Sequence, residues 1–542
     1  MCKRSSLVLT VALLLGLILS SCKSPEKLAK SINLAFSEPL SIDPGLVVDN
    51  VSTQYVQQLF MGLTTYDAKT LEPKPWLCKN WAVSADGLVW TFALRGNIYW
   101  VRYDPATGTA TKKRAVSAED IEYAVRRAVD PVNGSGYAYV DYIIQGAQAV
   151  NSGQSVDVRL IGVKALNDTT VEFTLTEPAG YFPYIAGLWT NNPVPREVVE
   201  GYGDRWTQPG IIWTCGAYML ASWEHGSTMV MKKNPYWFDA RNVSIEQINF
   251  NGSAAFARYE AGEFDLCNVP WDQLARVKAD PELSKELRIV PYPCTQYLGF
   301  NTSKPPLDNV KVRQALSYAI DRQKLIRSVL KAEDKPAKSF ACPGIFGSPA
   351  EDPSFKGIEF DPAKARALLA EAGYPDGKGL PDITYMSWTG EYRQEVAEFI
   401  RQGWKENLGV EVRLAHQEFS LYLKTVSTDT PQIYHLPWCA DYMDESNWVT
   451  ENFHTAKSPN NPKWYGPDAE AFDKLVEDAG SATDPAVRKK KYYEAERLLC
   501  VEDAVIAPLF YTTLAYCVKP YVEGTYAPMG GDWIYYWKVH EH

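Results

Sequence analysis

The chain has 542 residues, with 55 Lys and Arg against 65 Asp and Glu and a formal net charge of −10 at pH 7. One hydrophobic core rarely serves so long a chain, so the length predicts two or three domains. The acidic balance argues against nucleic acid as a partner, because nucleic-acid-binding proteins present a basic face.

The N-terminus predicts export from the cytoplasm. Lys3 and Arg4 precede an apolar run from Leu7 to Leu19. That run is shorter than the ~20 residues that span a bilayer, and it is typical of a signal-peptide core. We therefore expect residues 1–21 to be a signal peptide.

A lipid anchor is expected directly after the signal peptide. Leu19-Ser20-Ser21-Cys22 resembles a bacterial lipobox, whose cysteine is lipidated and becomes the first residue of the mature protein. Two or more acyl chains make a durable anchor. We expect Cys22 to hold the chain at a membrane of the bacterial periplasm or cell envelope, with residues 22–30 as a tether. An ordinary signal peptide with a chance cysteine is the alternative.

Hydrophobic periodicity predicts strands and helices that alternate along the mature chain. The predicted strands are Ser31–Phe36, a hairpin over Trp81–Arg95 that turns at Asp86-Gly87, Val171–Leu175, Trp213–Leu220, Met229–Lys232, Phe264–Leu266, Tyr297–Asn301, Ile383–Met386 and Val410–Leu414. The predicted helices are Gln54–Leu63, Ser117–Pro131, Ala255–Gly262, Val310–Lys331, Pro362–Ala372 and Tyr392–Asn407. This alternation indicates an α/β fold with a parallel or mixed sheet.

The sequence lacks the common signatures of enzymes and metal sites. Its six histidines form no H-E-x-x-H motif, no G-x-S-x-G elbow occurs, and no two cysteines have C-x-x-C spacing. We therefore expect a binding protein with no metal, no cofactor and no catalytic residues.

One short stretch places a carboxylate among aromatic side chains. Asp441 follows Trp438, Cys439 and Ala440 and precedes Tyr442. A low-dielectric surrounding makes a paired charge strong and an unpaired charge costly. The stretch is therefore either an aromatic-rich part of the core or a site for a cationic partner.

Several segments, in the same order along the chain, resemble one family. They are the hairpin of Trp81–Arg95 with the helix that begins at Ser117, Gly216-Ala217-Tyr218, Lys233-Asn234-Pro235-Tyr236-Trp237, Asn301–Leu316 and Ala319-Ile320-Asp321-Arg322. They are similar to the extracytoplasmic solute-binding proteins of ABC transporters for oligopeptides and dipeptides, and most similar to the oligopeptide binders. The resemblance covers essentially the whole mature chain.

The resemblance implies a two-lobed α/β clamp with mixed sheets and an extra domain beside the N-terminal lobe. Domain I would comprise residues 31–50, 191–293 and 508–542, the extra domain residues 51–190, and the second lobe residues 294–507. A ligand would be held between the lobes and buried by hinge closure. The implied partners are an oligopeptide and the permease of an ABC transporter, and the protein is expected to be a monomer.

The resemblance also implies the ligand-binding residues and one disulfide. Asp441 would bind the α-ammonium of the peptide, and Cys294 would pair with Cys439. The other implied peptide-binding residues are Trp438, the backbone of Cys439, Phe419, Asn268, Tyr137, Glu38, Leu40 and His435. The residues themselves leave the pairing of Cys78, Cys215, Cys267, Cys342, Cys500 and Cys517 open.

The sequence departs from the oligopeptide binders at four places. His435 stands where those proteins have an arginine that contributes to the site of the peptide's C-terminal carboxylate, so that capture is in doubt. Pro437 replaces a glycine and cannot donate an N–H to a peptide backbone. Glu445 replaces a proline, and Tyr103–Arg114 resembles an insertion.

The sequence therefore predicts a lipid-anchored receptor that captures oligopeptides and delivers them to an ABC permease. The same fold can serve other ligands, so a receptor for a nickel complex, haem, an opine or an oligosaccharide is the first alternative. An exported hydrolase is a more remote alternative.

Overall fold

The computed structural model describes residues 30–67, 70–390, 392–482, 484–525 and 534–540. The predicted signal peptide, Cys22 and almost all of the tether lie outside the described residues. Within those ranges, no helix has the length and apolar character needed to cross a membrane.

Strands and helices alternate through the chain as predicted. The strands are β1 (Ser31–Ala35), β2 (Thr64–Tyr66), β3 (Pro73–Pro75), β4 (Cys78–Val83), β5 (Val89–Leu94), β6 (Tyr99–Asp104), β7 (Thr109–Ala115), β8 (Val163–Asn167), β9 (Thr170–Thr174), β10 (Trp213–Thr214), β11 (Tyr218–Glu224), β12 (Thr228–Lys233), β13 (Gln247–Asn251), β14 (Leu266–Asn268), β15 (Leu287–Phe300), β16 (Lys335–Pro336), β17 (Ile383–Trp388), β18 (Val412–Gln417), β19 (Ile433–Cys439), β20 (Ile506–Val518), β21 (Val522–Glu523) and β22 (Lys538–Val539). The α-helices are Asn50–Leu59, Ala118–Val129, Ala147–Asn151, Phe182–Ile185, Arg196–Tyr202, Phe256–Glu260, Leu274–Ala279, Leu283–Glu286, Val310–Tyr318, Arg322–Leu325, Pro362–Glu371, Arg393–Leu408, Phe419–Thr428, Ser446–Phe453, Pro467–Ser481 and Pro485–Arg497.

One mixed sheet runs through the described part of the chain, in the order β11–β12–β13–β1–β14–β20–β15–β19–β17–β18. β1 is parallel to β13 and β14, and β17 is parallel to β18 and β19. The remaining neighbours in this order are antiparallel. The sheet therefore has the mixed α/β character that the sequence predicts.

The long strands β15 and β20 join the two halves of this sheet. Leu287–Pro291 pairs with Thr513–Cys517, and Thr295–Gly299 pairs with Ile506–Tyr511, with a register shift between Pro291 and Thr295. Proline has no N–H to donate to a ladder, and Pro291 and Pro293 fall in this interval. The ladder therefore breaks where one half of the sheet gives way to the other.

Local capping explains the helix Ala118–Val129 that follows the first hairpins. Ser117 and Asp120 form a reciprocal capping box at its N-terminus, which satisfies amide groups that a helix start leaves unpaired. Asp120 also accepts a hydrogen bond from the Trp100 indole at 3.0 Å. The predicted hairpin before it is confirmed, with Gly87 at φ 75° in the turn between β4 and β5.

The prediction of one continuous helix over Val310–Lys331 is wrong. The first helix ends at Tyr318, and the Asp321 side chain caps a new helix by accepting from the N–H of Lys324 at 2.8 Å. Arg322 is buried and donates to the Pro508 carbonyl at 2.6 Å. Periodicity could not reveal this break, because its cause is a side chain that caps the backbone and an arginine that bonds to β20.

Other predicted boundaries change in extent. The predicted strand Tyr297–Asn301 is the end of the much longer β15, and the predicted strand Trp213–Leu220 is divided into β10 and β11. The apparent insertion Tyr103–Arg114 lies in the hairpin of β6 and β7, which pairs with β10.

The described residues form two large hydrophobic cores. The larger one gathers buried side chains from both halves of the chain, among them Tyr55, Phe92 and Tyr442. The second lies under the helices Val310–Tyr318 and Arg393–Leu408, where the Trp404 indole donates to the Leu316 carbonyl at 2.8 Å. The buried Trp404 indole thus has a backbone partner in the neighbouring helix.

A buried ion pair lies just beyond the aromatic stretch. Arg488 donates to both carboxylate oxygens of Asp444 at 2.9 Å, and the Asp444 side chain is fully buried. A buried charge is tolerated only when it is paired and hydrogen-bonded. The pair therefore fixes the helix Pro485–Arg497 against the loop that carries Asp441.

We expect Arg488→Met to lower the free energy of unfolding by ~3–5 kcal/mol, because it leaves the Asp444 charge buried and unpaired. Urea unfolding at pH 7 measures the loss. The matched control is Arg497→Met on the same helix, whose pair with Glu502 is half-exposed and should contribute less than ~1 kcal/mol. Equal losses in both variants would contradict the account.

Candidate functional site

β19 has an open edge beside the aromatic stretch. β19 pairs with β15 along its whole length but with β17 only at Ile433 and Tyr434. The outer edge of residues 435–439 therefore pairs with no strand in the described part of the chain. Such an edge presents backbone groups that an extended segment can pair with.

The register shows which residues present those groups. Ala440 donates its N–H to the Pro293 carbonyl at 2.9 Å, and hydrogen-bonded pairs alternate along an antiparallel ladder. The backbone groups of Cys439, Pro437 and His435 therefore point to the open edge. Pro437 contributes only its carbonyl, and the His435 carbonyl already accepts from the Tyr422 hydroxyl at 2.7 Å.

A disulfide fixes the end of this edge. Cys294 and Cys439 face each other across β15 and β19, with Cα atoms 4.0 Å apart, and they are bonded, as the resemblance implies. Cys267 and Cys517 also face each other, across β14 and β20, but both are free. Cys267 and Cys517 occupy a hydrogen-bonded position of their ladder, where opposed Cα atoms are about 5.5 Å apart. Cys294 and Cys439 occupy a position without such hydrogen bonds, where opposed Cα atoms are closer.

Within the described ranges, the remaining cysteines of the mature chain that the sequence left open are also free. Cys78, Cys215, Cys342 and Cys500 are all buried and unbridged. Burial raises the pKa of the Cys78 thiol to about 11, so this thiol stays protonated and unreactive at neutral pH.

Asp441 lies directly after the open edge and accepts hydrogen bonds from neutral groups. The Tyr137 hydroxyl donates to Oδ1 at 3.0 Å, and the Asn447 side-chain amide donates to Oδ2 at 3.2 Å. The Asn447 Oδ1 in turn accepts from the Asp441 N–H at 2.9 Å. Burial raises the pKa of Asp441 above its ordinary value, because no described cation offsets the loss of water.

A second carboxylate shares this site. Glu451, on the helix Ser446–Phe453, accepts from the Tyr442 hydroxyl at 2.7 Å and from the Asn447 amide at 2.9 Å. Burial and the neighbouring Asp441 raise the pKa of Glu451 to about 8. Sequence reasoning missed both Asn447 and Glu451, although their spacing of four residues places them on one helix face.

A cavity of about 90 Å³ adjoins Asp441. Its wall includes aromatic side chains from distant parts of the chain: Trp76, Tyr184, Trp189, Tyr442 and Tyr535. Aromatic walls lower the local dielectric and strengthen any charge pairing at the carboxylate.

A groove of about 1600 Å³ lies elsewhere, on residues 41–207. Some of its charged side chains are paired with one another, for example Arg127 with Asp43 at 2.6 Å and Arg114 with Glu197 at 2.7 Å.

The structure brings some of the other predicted site residues together and leaves others apart. Trp438 is half-buried in β19, and Phe419 is half-exposed and packs at 5.4 Å against Trp388. Asn268 is exposed at the end of β14. Trp438 belongs to the open edge of β19, and Trp388 packs in turn against His435 of that edge. Asn268 lies in the other half of the sheet.

The implied peptide-binding residues Glu38 and Leu40 belong to no strand. β1 ends at Ala35, and Leu40 is exposed. The Glu38 carboxylate accepts from the Gly226 N–H at 2.8 Å and lies 2.8 Å from the His225 ring.

His435 is fully buried beneath the open edge. Its ring lies 3.1 Å from the Gln296 amide oxygen and 3.4 Å from the Tyr385 hydroxyl. Burial, with a smaller effect of the Arg393 charge, lowers the pKa of His435 to about 3. The ring is therefore neutral at pH 7, and direct contact with a ligand would displace one of these protein partners.

Comparison with known proteins identifies the family. Residues 72–460 match the model for the bacterial extracellular solute-binding proteins of family 5. The chain belongs to this family. The periplasmic oligopeptide-binding protein OppA of Salmonella typhimurium is 34% identical over 90% of this chain and 88% of its own.

Two solved structures have a similar fold over nearly the whole length of this chain. The murein tripeptide-binding protein MppA in its unliganded open form has a TM-score of 0.78 at 29% identity, covering 95% of this chain and 98% of its own. Haemophilus influenzae OppA in complex with the peptide RPPGFSPFR has a TM-score of 0.72 at 27% identity, covering 94% and 99%. The predicted two-lobed α/β fold is confirmed, and the family consists of solute-binding proteins rather than enzymes.

We expect His435 to make stability depend on pH. Its pKa is about 3 in the folded protein and about 6.5 when unfolded, so the unfolded chain binds the extra proton as pH falls below ~6.5. The wild type should lose ~2 kcal/mol between pH 7 and pH 5 relative to His435→Gln. Urea unfolding at both pH values measures the difference.

The matched control for this experiment is His225→Gln, which changes an exposed histidine. If His435→Gln and the control show the same pH dependence, the buried neutral ring is not the source of the effect.

Proposed function

We propose that the protein is a lipid-anchored receptor that captures oligopeptides between its two lobes and delivers them to an ABC permease for import. The observation that carries the proposal is the Asp441 carboxylate, which lies in an aromatic cavity and is hydrogen-bonded to neutral groups. Such a carboxylate gains most from a cationic ligand group.

Peptide chemistry fits this arrangement. Peptides of different sequence share only a backbone and two charged termini. The open edge of β19 offers the backbone groups of Cys439 and the Pro437 carbonyl, which can pair with an extended backbone without reading side chains. Asp441 follows that edge by two residues, where it can bind the peptide α-ammonium.

Contacts across the chain support a division into closing lobes. Tyr137, in the proposed extra domain of residues 51–190, reaches Asp441 in the proposed lobe of residues 294–507. The Gly180 N–H donates to the Gly480 carbonyl at 3.1 Å, which joins the same two regions. The register break in β15 lies beside the proposed boundary at residues 293 and 294.

The relatives support the ligand class. OppA of Salmonella typhimurium is named for oligopeptide binding, and the Haemophilus influenzae structure holds a peptide of known sequence. Haem or a neutral oligosaccharide on the same fold would bring no ammonium group and would leave Asp441 without a cationic partner, so we favour a peptide.

Asp441→Asn should weaken binding of a free peptide by ~10²–10³-fold, because an ammonium buried without its anion costs ~3–5 kcal/mol. Native mass spectrometry of the purified wild type should first reveal co-purified peptides, which are then resynthesised for titration calorimetry. The matched control is Asp468→Asn, an exposed residue of the same lobe.

The same titration with N-acetylated peptide tests the anchor directly. Acetylation removes the charge, so we expect it to weaken binding to the wild type and to have little effect on Asp441→Asn. Equal affinity of the wild type for free and acetylated peptide would overturn the role of Asp441.

The lipid anchor is proposed on the sequence Leu19-Ser20-Ser21-Cys22. In a bacterial host supplied with a labelled fatty acid, the wild type should carry the label and sediment with membranes. Cys22→Ser should lose the label and become released. Retained label in this variant would disprove the proposed attachment site.

A further inference from the structure

The site around Asp441 contains two carboxylates, and both accept a hydrogen bond from the same side-chain amide. The Asn447 side-chain nitrogen donates to Asp441 Oδ2 at 3.2 Å and to Glu451 Oε2 at 2.9 Å. Tyr442 donates to the other oxygen of Glu451, and Tyr137 donates to the other oxygen of Asp441. The two acids are therefore neighbours in one hydrogen-bonded network.

The groups that face this network are acidic or neutral. Tyr442 lies in the loop before the helix, and Tyr137 and Tyr139 approach from the segment before Asp141. Tyr181 lies within range of the Glu451 charge. Burial raises the pKa of each of these four tyrosine hydroxyls above the ordinary value of a tyrosine, so they remain neutral at physiological pH.

No cation among the described residues acts on either acid. The groups that influence the pKa of Glu451 are Asp441, Tyr442 and Asn447, and those that influence Asp441 are Asn447 and Tyr137. Two like charges so close together in a partly buried site repel each other, and the repulsion is relieved when one acid keeps its proton.

Resting on the proposed function, we propose that Asp441 and Glu451 share one proton before a ligand binds, and that the arriving peptide ammonium displaces it. The ammonium keeps its three protons and binds Asp441. The proton leaves the Glu451 carboxyl group for solvent. The two carboxylates of the site are then both negatively charged, and the peptide ammonium brings one positive charge. Peptide capture is therefore coupled to the release of a proton.

The raised pKa of Glu451, at about 8, agrees with this state. Because the ligand favours the state in which both acids are ionised, it lowers the pKa of Glu451. The affinity for the peptide therefore rises with pH between the pKa of Glu451 in the liganded protein and its pKa in the unliganded protein. Glu451 does not line the cavity, so it acts on the ligand through the charge and the position of Asp441 and Asn447.

Titration calorimetry at pH 6.5, in two buffers of different ionisation enthalpy, counts the protons released. The probe is the most abundant co-purified peptide, resynthesised with a free N-terminus. We expect the wild type to release a fraction of a proton per peptide. Its affinity should rise between pH 6.0 and 7.5, by at most about tenfold per pH unit.

Glu451→Gln keeps the shape of the side chain but cannot release a proton. We expect this variant to bind the peptide with no proton release and with an affinity that is flat between pH 6.0 and 7.5. The matched control is Glu470→Gln, an exposed acid of the same lobe, which should behave as the wild type does. A loss of affinity alone would show only a structural role, so the proton count and the pH profile are the deciding readouts.

The outcomes separate the two proposals. If the peptide binds but the wild type releases no proton, or Glu451→Gln releases as much as the wild type, proton coupling is wrong and the receptor function stands. If the wild type does not bind the peptide, or binds its N-acetylated form equally well, the ammonium anchor fails, and proton coupling fails with it. Should Glu451→Gln not fold, as judged by circular dichroism, the proton count of the wild type decides.

Discussion

The pairing of β15 with β20 is the constraint on which the rest of the structure depends. These two strands belong to both halves of the main sheet, and their ladder is interrupted between Pro291 and Thr295. β14 adds to one side of this pair and β19 to the other. The candidate site therefore lies beside the junction, because β19 brings its open edge and Asp441 to the place where the ladder breaks.

Charge compensation at this site differs from that of two other buried acids in the fold. The buried acid Asp444 is paired with Arg488, and Asp503 bonds to the buried Arg313. Asp441 and Glu451 instead bond to amide and hydroxyl groups. Asp141 and the pair of Glu445 and Glu496 are also buried without a cation among the described residues. Asp441, in contrast, lines a cavity, so a ligand there can supply its cation.

The departures from the oligopeptide binders have different consequences. His435 is a buried neutral ring rather than an exposed cation, so it offers no charge for a ligand carboxylate. Pro437 keeps its carbonyl at the open edge and loses only a donor. Glu445 is fully buried, and burial together with Glu496 raises its pKa well above the ordinary value. The first two changes lie in the open edge of β19, whereas the third is buried in the core.

The sequence by itself predicted an export signal, which lies outside the described residues. It also determined the alternation of strands and helices, the hairpin at Asp86-Gly87 and the capped helix after Ser117. These features depend on local periodicity and on hydrogen bonds between near neighbours, which a sequence displays directly. Resemblance to the family added Asp441 and the pairing of Cys294 with Cys439. The break within Val310–Lys331 was beyond such reasoning, because a distant strand holds Arg322.

Only the tertiary structure decided which backbone groups of β19 are available and that Glu451 lies beside Asp441. The first depends on the register of β19 against β15, and the second on an Asn447 side chain that bonds to both acids. Neither relation has a period or a motif in the sequence. The sequence supplied the carboxylates, but their charge state depends on how closely the fold places them and on how few cations it leaves nearby.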